Sequence, residues 1–299
     1  MQINSKKVVL VLVDGPSDVS TVINGFTNYY QDKFINVRVY PLRFDITFPN
    51  KSSNITDNFV LNKVTEVIKQ ACNKYKFRKA DIINVVEIID IDGVYINDSL
   101  IEEHSNLDHC VYYEDKIEVN NKEFFVRRNK IKRDNIDKLV HTKNVYDGLP
   151  YEIYFFATNL EHYFYNKLNC EDSEKEDLSL RKADAYKQNP EQFLSELKEF
   201  KTTNSEYIES WREIENIHDK LSRLNNLWIF FEKKIDIFIW FFISIKELDN
   251  LIKVVFIKYL ISQLNSLTLL CYYVSKYIRM YNNKEMWSFY LVDWMEVLW

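Results

Sequence analysis

Four aspartates follow two apolar runs of this chain, at the points where strands of a buried sheet would end. Asp14 and Asp18 come after the run VVLVLV, and Asp90 and Asp92 come after the run IINVVEII. Because the carboxyl ends of parallel strands share one edge of a sheet, these carboxylates are expected to lie together. Carboxylate oxygens suit Mg²⁺ and Mn²⁺, which polarise phosphate esters and activate water. The spacing therefore predicts a metal site that acts on phosphodiesters.

Alternating strand and helix patterns place these aspartates in an α/β domain. β-Branched runs bounded by polar residues predict strands, and apolar residues at helical spacing predict the helices between them. The predicted strands cover Val8 to Val13, Asn36 to Tyr40, Ile82 to Ile89 and Tyr151 to Phe156, and the predicted helices cover Ser17 to Tyr30 and approximately residues 58–75 and 159–168. This order is typical of a mainly parallel sheet flanked by helices.

Local spacing also predicts how the acidic side chains are directed. Asp18 lies four residues after Asp14, in the first turn of the following helix, so its carboxylate can point back to the strand end. In an extended Asp90-Ile91-Asp92 segment alternate side chains share a face, so both carboxylates are expected on one side. Acids also suit helix N-termini, and Asp with Gly suits turns, which explains each position when it is taken alone.

A fifth carboxylate follows the last predicted strand. Glu161 and His162 come shortly after the strand that ends at Phe156. Glu161 is therefore a candidate further metal ligand or substrate contact. Capping of the next helix by Asn159, with Glu161 in the first turn, explains the same residues without a ligand role. The five histidines of the chain are not paired at zinc spacing, so no zinc site is expected.

Five basic residues lie within the seven positions of the segment RRNKIKR. They follow the segment KIEVNNKEFFV, which is predicted to form a hairpin that turns at Asn120-Asn121. Clustered cations can contact the phosphates of nucleic acid, and a solvated loop would have the same composition. The candidate contacts are Arg127, Arg128, Lys130, Lys132 and Arg133, of which Lys130 and Lys132 are also candidate cations for a transition state.

The segments VLVDGPSD and IIDIDG resemble the TOPRIM domain, in the form found in overcoming-lysogenization-defect nucleases and in standalone TOPRIM effectors of bacterial abortive-infection systems. In that family the first strand ends in Glu-Gly, often followed by Ser-Asp, and a later strand ends in Asp-x-Asp. The similarity covers roughly residues 5–165. It implies a TOPRIM-like fold and cleavage or joining of nucleic acid that depends on Mg²⁺ or Mn²⁺. Asp14, Asp90 and Asp92 are then the expected catalytic residues, and with Asp18 and the candidate Glu161 they form the predicted metal-binding set.

The chain departs from the family at the first acid, where Asp14 stands in place of Glu. The side chain is one methylene shorter, which moves the carboxylate by about 1 Å, and a displacement of that size can change a rate about a hundredfold. The alternatives are a site rebuilt around the shorter side chain and a non-catalytic binding module that keeps the fold. The resemblance further implies a role in anti-phage defence with a partner ATPase, since this chain has no Gly-x4-Gly-Lys-Ser/Thr loop of its own.

The segment IIDIDGVYINDS also fits the nucleophile motif of haloacid-dehalogenase-type phosphatases, an Asp-x-Asp-Gly that follows a strand. In that interpretation Asp90 accepts the phosphoryl group and Asp92 acts as acid and base. The motif usually opens its domain and needs a later strand with a second acidic pair, whereas NCEDSEKED follows a helical pattern. The phosphatase interpretation also gives the segment VDGPSD no role. A TOPRIM-like nuclease is therefore the preferred hypothesis.

Composition sets the remaining expectations. The chain has 299 residues and a net charge of −5, so any binding of nucleic acid must be local. Four scattered cysteines without a CxxC pair, and no signal peptide, predict a cytoplasmic protein. The predicted division is a TOPRIM-like catalytic domain over residues 1–168, with the hairpin and basic segment at 112–138, and an α-helical region over 169–299 that is apolar and aromatic from residue 225.

The helical C-terminal region is expected to pack on the catalytic domain or to form a homo-oligomer or partner interface. Its longest uncharged run, Tyr259 to Ser275, has 17 residues. A membrane-spanning helix needs roughly 20 apolar residues, so membrane attachment is not expected.

Overall fold

The computed structural model of the chain describes residues 7–30, 36–42, 45–48 and 59–232. These residues belong to a compact unit that spans Met1–Lys233. The second unit, Lys234–Trp299, lies outside the described residues, and so do the expectations placed on its apolar run and on an oligomer formed through it. Within the described residues, no helix is both long and apolar enough to cross a membrane.

The described residues contain a main sheet and a smaller one. In chain order the strands are β1 (Val8–Val13), β2 (Asn36–Pro41), β3 (Ile82–Asp90), β4 (Ile101–Glu103), β5 (Val111–Tyr112), β6 (Ile117–Val119), β7 (Asn144–Val145) and β8 (Leu149–Phe156). The main sheet has the order β2-β1-β3-β8-β7, and the smaller sheet has the order β4-β6-β5. In the main sheet only the β7–β8 pair is antiparallel among the described strands. The predicted α/β class with a mainly parallel sheet is confirmed.

Helices cover both faces of the main sheet. They are α1 (Pro16–Tyr30), α2 (Phe59–Tyr75), α3 (Lys122–Val140), α4 (Leu160–Tyr165), α5 (Asp172–Gln188), α6 (Glu191–Leu197) and α7 (Tyr207–Glu215). Side chains from α1, α4, α5 and α6 pack on one face, and side chains from α2, α3 and α7 pack on the other. All six residues of β1 are buried because alternate side chains enter these two cores.

The parallel register brings the carboxyl ends of three strands to one edge of the main sheet. Val13, at the end of β1, pairs with Ile88, and Asp90, at the end of β3, pairs with Phe156 at the end of β8. The chain then turns into a helix at Pro16 after β1 and into α4 after β8. The strands predicted from the sequence are confirmed, with ends that differ by at most two residues. The acidic residues predicted from the sequence are therefore expected to lie close together at this edge.

The hairpin predicted at Asn120-Asn121 is wrong. Asn121 caps α3 instead, and its side-chain oxygen accepts a hydrogen bond from Phe124 N at 2.7 Å. β6 pairs antiparallel with β5, which precedes it in the chain. Asparagine suits turns and helix N-caps alike. The helical pattern of α3 was also weak, because its buried face includes the polar residues Asn129, Lys132 and Asn135.

The helices that follow residue 168 do not form a separate domain in the described structure. Tyr186 of α5 and Phe193 of α6 share a core cluster with Phe26 of α1. Trp211 of α7 enters the core on the opposite face of the sheet. The helical character predicted here is confirmed for α5, α6 and α7, but the compact unit runs to Lys233 instead of ending at residue 168.

Candidate metal centre

Asp14 joins the ends of β1 and β3. Its Oδ2 accepts a hydrogen bond from the backbone N–H of Asp90 at 3.2 Å. Its Oδ1 is buried and has no hydrogen-bond partner among the described residues. Burial raises the pKa of Asp14 well above its usual range, and the charges of Asp45 and Asp18 raise it further. Asp14 thus offers one buried oxygen that is free to bind a cation.

Asp18 lies in the first turn of α1, as predicted, and is folded back over the turn that follows β1. Its carboxylate accepts hydrogen bonds from Gly15 N at 3.0 Å and from Ser17 Oγ at 3.3 Å. Burial raises its pKa to about 7, and the neighbouring Glu161 carboxylate is the second cause. Both oxygens therefore have donors, yet burial and Glu161 still disfavour the charged form of the group.

Asp90 is influenced electrostatically by the other four predicted acids. Burial raises its pKa well above the usual range, and four carboxylates raise it further. In decreasing order of effect these are Asp18, Asp14, Asp92 and Glu161. The structure therefore brings together the five residues predicted from the sequence to bind metal.

Asp92 lies in a turn that follows β3 and not in the extended strand. β3 ends at Asp90, and Asp92 adopts a left-handed backbone with φ of 54°, followed by Gly93 with φ of 65°. The Asp92 N–H donates to the carbonyl of Thr158 at 2.9 Å, which holds this turn against the chain after β8. The prediction that strand alternation directs both carboxylates is therefore wrong. Asp and Gly tolerate the left-handed conformation that the turn requires.

Glu161 lies where both interpretations of the sequence place it. It lies in the first turn of α4, whose N-cap Asn159 accepts a hydrogen bond from His162 N at 2.7 Å. The residue is 4 % exposed, and Lys175 Nζ lies 3.9 Å from its Oε1. The helix predicted here to residue 168 ends at Tyr165, because Asn166 adopts a left-handed backbone. Glu161 is therefore a helix N-terminal acid that also faces Asp18 and Asp90.

The basic segment forms part of α3 and does not make one surface strip. Lys132 is only 1 % exposed, and its ammonium lies 2.9 Å from Asp45 Oδ2 and 3.1 Å from Asp92 Oδ2. Its assignment to surface contacts with phosphates is therefore wrong. Arg128 also faces the site, 3.8 Å from Asp92 Oδ2. Arg133 Nη1 donates to the carbonyl of Val94 at 2.7 Å.

Two of the five basic residues remain exposed on α3. They are Arg127 and Lys130. Helical periodicity separates them from the inward-facing Arg128 and Lys132. This smaller pair is therefore the part of the basic segment that is exposed at the surface of α3.

Asp45 and Lys175 were missed by the sequence analysis. Asp45 follows β2, whose carboxyl end lies at the same edge of the sheet as Asp14, so strand order gave a usable signal. Lys175 lies in a charged helix, and no local pattern distinguishes it from its neighbours. Burial lowers the pKa of Lys175, but the charges of Glu161, Asp90 and Asp18 raise it by more. The ammonium therefore faces the acidic cluster as a cation.

The donor set at this edge fits a hard divalent cation. Within the described residues the acidic groups are Asp14, Asp18, Asp45, Asp90, Asp92 and Glu161, and the basic groups beside them are Arg128, Lys132 and Lys175. The carboxyl groups outnumber the cations; Asp18 and Glu161 are buried, and the other four are half-buried. A bound cation would offset this repulsion, and the unpaired Oδ1 of Asp14 is suited to hold it.

A second cluster lies on the smaller sheet. Among the described residues, Glu102, His104 and Glu118 form the trio whose possible ligand atoms all lie within 4.8 Å of one another. Lys116 Nζ already pairs with Glu102 at 2.7 Å and with Glu118 at 2.8 Å. The carboxylates of the main sheet edge are not gathered so tightly. A cation at that edge would therefore keep several water ligands, which is the usual behaviour of Mg²⁺.

Comparison of the chain with protein-family models, with curated proteins and with solved structures finds no match. The likeness to TOPRIM nucleases therefore depends on the segments VLVDGPSD and IIDIDG. The function of the chain has to be inferred from those motifs and from the chemistry of the acidic cluster.

Proposed function

We propose that this protein is an endonuclease that hydrolyses phosphodiester bonds with Mg²⁺ or Mn²⁺. The observation that carries the proposal is the meeting of acidic residues at one sheet edge, where Asp14 accepts a hydrogen bond from the backbone N–H of Asp90 and the charges of four other carboxylates raise the pKa of Asp90. Buried carboxylates of like charge are costly unless a cation neutralises them. Carboxylates from several strand ends that hold a divalent cation are well suited to phosphodiester chemistry.

The residues of the cluster have distinct roles in this proposal. Asp14, Asp90 and Asp92 are the catalytic residues that hold the metal, and Asp18 and Glu161 complete the set. When bound, the divalent cation supplies charge stabilisation at the phosphate and lowers the pKa of a water. The Gly15 and Ser17 donors keep Asp18 directed at the site.

Nucleic acid is the proposed substrate, and α3 is its proposed contact surface. Arg127 and Lys130 are exposed and provide sequence-independent phosphate contacts. Arg128 lies between this surface and Asp92, so its guanidinium can contact a phosphate at the site. The two parts of the basic segment thus have different roles.

The biological role is proposed on the resemblance alone. Standalone TOPRIM effectors act in abortive infection, so we place this chain in the cytoplasm as an anti-phage effector. A partner ATPase that restrains or activates it belongs to the same proposal.

Cleavage assays with matched variants test this function. The purified chain is incubated with plasmid, single-stranded DNA and total RNA, with Mg²⁺, Mn²⁺ or EDTA, with and without the candidate partner ATPase. Metal-dependent cleavage is expected for the wild type and for Asp134→Asn, an exposed acid on α3. Asp90→Ala and Asp14→Ala are expected to be inactive.

The same assays separate the alternatives. Absence of cleavage with every metal and with the partner present would contradict the nuclease and favour a non-catalytic TOPRIM-like module. Hydrolysis of a generic phosphomonoester that Asp90→Ala abolishes and Asp14→Ala leaves intact would favour the haloacid-dehalogenase-like phosphatase. The contact between Asp14 and Asp90 supports the nuclease over that phosphatase, since VDGPSD then belongs to the site.

A further inference from the structure

Asp45 contacts the acidic cluster through a buried cation. Its Oδ2 lies 2.9 Å from Lys132 Nζ, and the same ammonium lies 3.1 Å from Asp92 Oδ2. Lys132 is 1 % exposed, so these two carboxylates take the place of water around the ammonium. Asp45 and Asp92 are therefore linked through one lysine on α3.

The other carboxylate oxygen of Asp45, Oδ1, stabilises the short segment 45–48 in which Asp45 lies. Asp45 Oδ1 accepts hydrogen bonds from Thr47 N at 2.8 Å and from Thr47 Oγ1 at 2.5 Å. The carbonyl of Thr47 in turn accepts a hydrogen bond from Asn135 Nδ2 at 2.9 Å. Asn135 lies three residues after Lys132 on α3, which is about one helical turn. Residues 45–48 are therefore docked on α3 at two points on one face of the helix.

This arrangement leaves Lys132 with a single stable position. A lysine side chain is long and flexible, and holding its ammonium in one place requires more than one partner. The carboxylates of Asp45 and Asp92 together hold the ammonium at 2.9 Å and 3.1 Å, where its charge also lowers the pKa of Asp14. The Asp92 carboxylate is fixed in return, although its left-handed backbone lies beyond the end of β3.

We propose that Asp45 is a positioning residue, which holds Lys132 against Asp92 and so orients the Asp92 carboxylate for the divalent cation. The inference rests on the proposed function, because the cation is part of it. Asp45 touches neither the cation nor the substrate in this proposal. Residues that orient metal ligands in this indirect way typically change metal affinity by about 10- to 100-fold when they are replaced.

The position of the ammonium is measured first, without metal. The ¹H–¹⁵N signal of a lysine ammonium is detectable by NMR when exchange with water is slow, as expected for a buried and paired group. The Lys132 signal is assigned by its loss in Lys132→Met, or in Lys132→Arg if the methionine variant does not fold. It is expected to disappear in Asp45→Asn and to persist in Asp134→Asn, whose carboxylate is exposed on the same helix.

The affinity for Mn²⁺ is measured next, by electron paramagnetic resonance, in a double-mutant cycle. Asp45→Asn is expected to weaken Mn²⁺ binding by about 10- to 100-fold in the wild-type background. In the Lys132→Met background the same replacement should change affinity by less than about twofold, since the lysine that transmits the effect is absent. Asp134→Asn should bind like the wild type.

The outcomes distinguish this inference from the proposed function. A persistent Lys132 signal in Asp45→Asn would overturn the positioning role, whatever the chain cleaves. An equal loss of Mn²⁺ affinity in both backgrounds would also overturn it, because Asp45 would then act by its own charge. A wild type that binds no Mn²⁺ and cleaves nothing, yet loses the Lys132 signal in Asp45→Asn, would overturn the nuclease and with it the metal-orienting part of the inference.

Discussion

The Asp14 carboxylate accepts a hydrogen bond from the backbone N–H of Asp90 at 3.2 Å and so joins the ends of two neighbouring parallel strands. Both residues have raised pKa values because their carboxyl groups are shielded from solvent and lie near other carboxylates. One oxygen of Asp14 orders the sheet edge, and the other is unpaired among the described residues. Asp14, although one methylene shorter than a Glu, thus still contacts the acidic cluster.

Asp14→Asn tests the charge of this residue with little change in its shape. The amide oxygen can still accept from Asp90 N, so the fold should persist, but one negative charge at the metal site is lost. We expect Mg²⁺-dependent cleavage to fall by about 10²-fold or more, the size typical for the loss of one preorganised electrostatic group. Initial cleavage rates of the wild type and Asp14→Asn test this prediction, with Asp134→Asn as the control variant. Unchanged rates in Asp14→Asn would remove Asp14 from the catalytic set.

Mg²⁺ should stabilise the fold in a pH-dependent way. The pKa of Asp18 rises to about 7 on folding, mainly through burial, from the usual 3.8. The folded state therefore holds this proton more tightly than the unfolded state. The free energy of unfolding falls as the pH rises from the unfolded pKa of 3.8 to the folded pKa of about 7. Mg²⁺ should raise Tm more at pH 8 than at pH 6, because protons no longer compete with the metal. Differential scanning fluorimetry checks this, with Asp18→Asn expected to show a smaller difference between the two pH values.

Glu87, in the interior of the main sheet, predicts a second pH effect. It is fully buried on β3, and its Oε2 accepts a hydrogen bond from Tyr151 Oη at 2.5 Å. Burial raises the pKa of Glu87 to about 7 from the usual 4.5. The free energy of unfolding therefore falls as the pH rises between these two values, because Glu87 must ionise in the interior. Glu87→Gln should be more stable than the wild type at pH 8, by up to about 3 kcal/mol at about 1.4 kcal/mol per pKa unit.

Urea denaturation at two pH values tests the Glu87 prediction. At pH 4 the Glu87 carboxyl is protonated in the folded state, so Glu87→Gln and the wild type should be nearly equal in stability. Glu176→Gln, an exposed glutamate on α5, should match the wild type at both pH values. A gain in stability from Glu87→Gln that is the same at pH 4 and pH 8 would exclude ionisation as its cause.

Gly25 tests whether the helices after residue 168 are part of one compact unit. A Cβ at Gly25 of α1 would lie 2.3 Å from the ring of Phe193 on α6. We therefore expect Gly25→Ala to destabilise the fold by about 1–3 kcal/mol, as overpacking does, although alanine favours helices. Thr27→Ala, at an exposed position of the same helix, should not destabilise it. Phe193→Leu should recover part of the loss, whereas additive effects would contradict the contact.

Arg127 and Lys130 predict the salt dependence of binding. In an Asp90→Asn background that cannot cleave, Arg127→Ala with Lys130→Ala should weaken binding to any sequence. For duplex DNA, each lost phosphate contact should reduce the slope of log affinity against log salt by about 0.9. Fluorescence anisotropy at several salt concentrations measures this, and Lys187→Ala, exposed on α5, serves as control. An unchanged slope would exclude this surface as the contact.

The sequence by itself determined the α/β class, the main strands and the placement of Asp14, Asp18 and Asp90 at one edge of the sheet. These follow from local periodicity and from the rule that parallel strands end on the same side. Glu161 was also predicted from its position after β8. Such features depend on residues that are near one another in the chain, so a single sequence is sufficient to find them.

Only the tertiary structure decided which cations meet these acids and how Asp92 is directed. The sequence predicts Lys132 as part of a surface strip, but contacts with Asp45 and Asp92, which are distant in the chain, place it in the interior. The left-handed turn at Asp92 depends on a hydrogen bond to Thr158 of another strand end. Local patterns carry no information on such pairings, because burial and charge neutralisation select them only when the whole chain is folded.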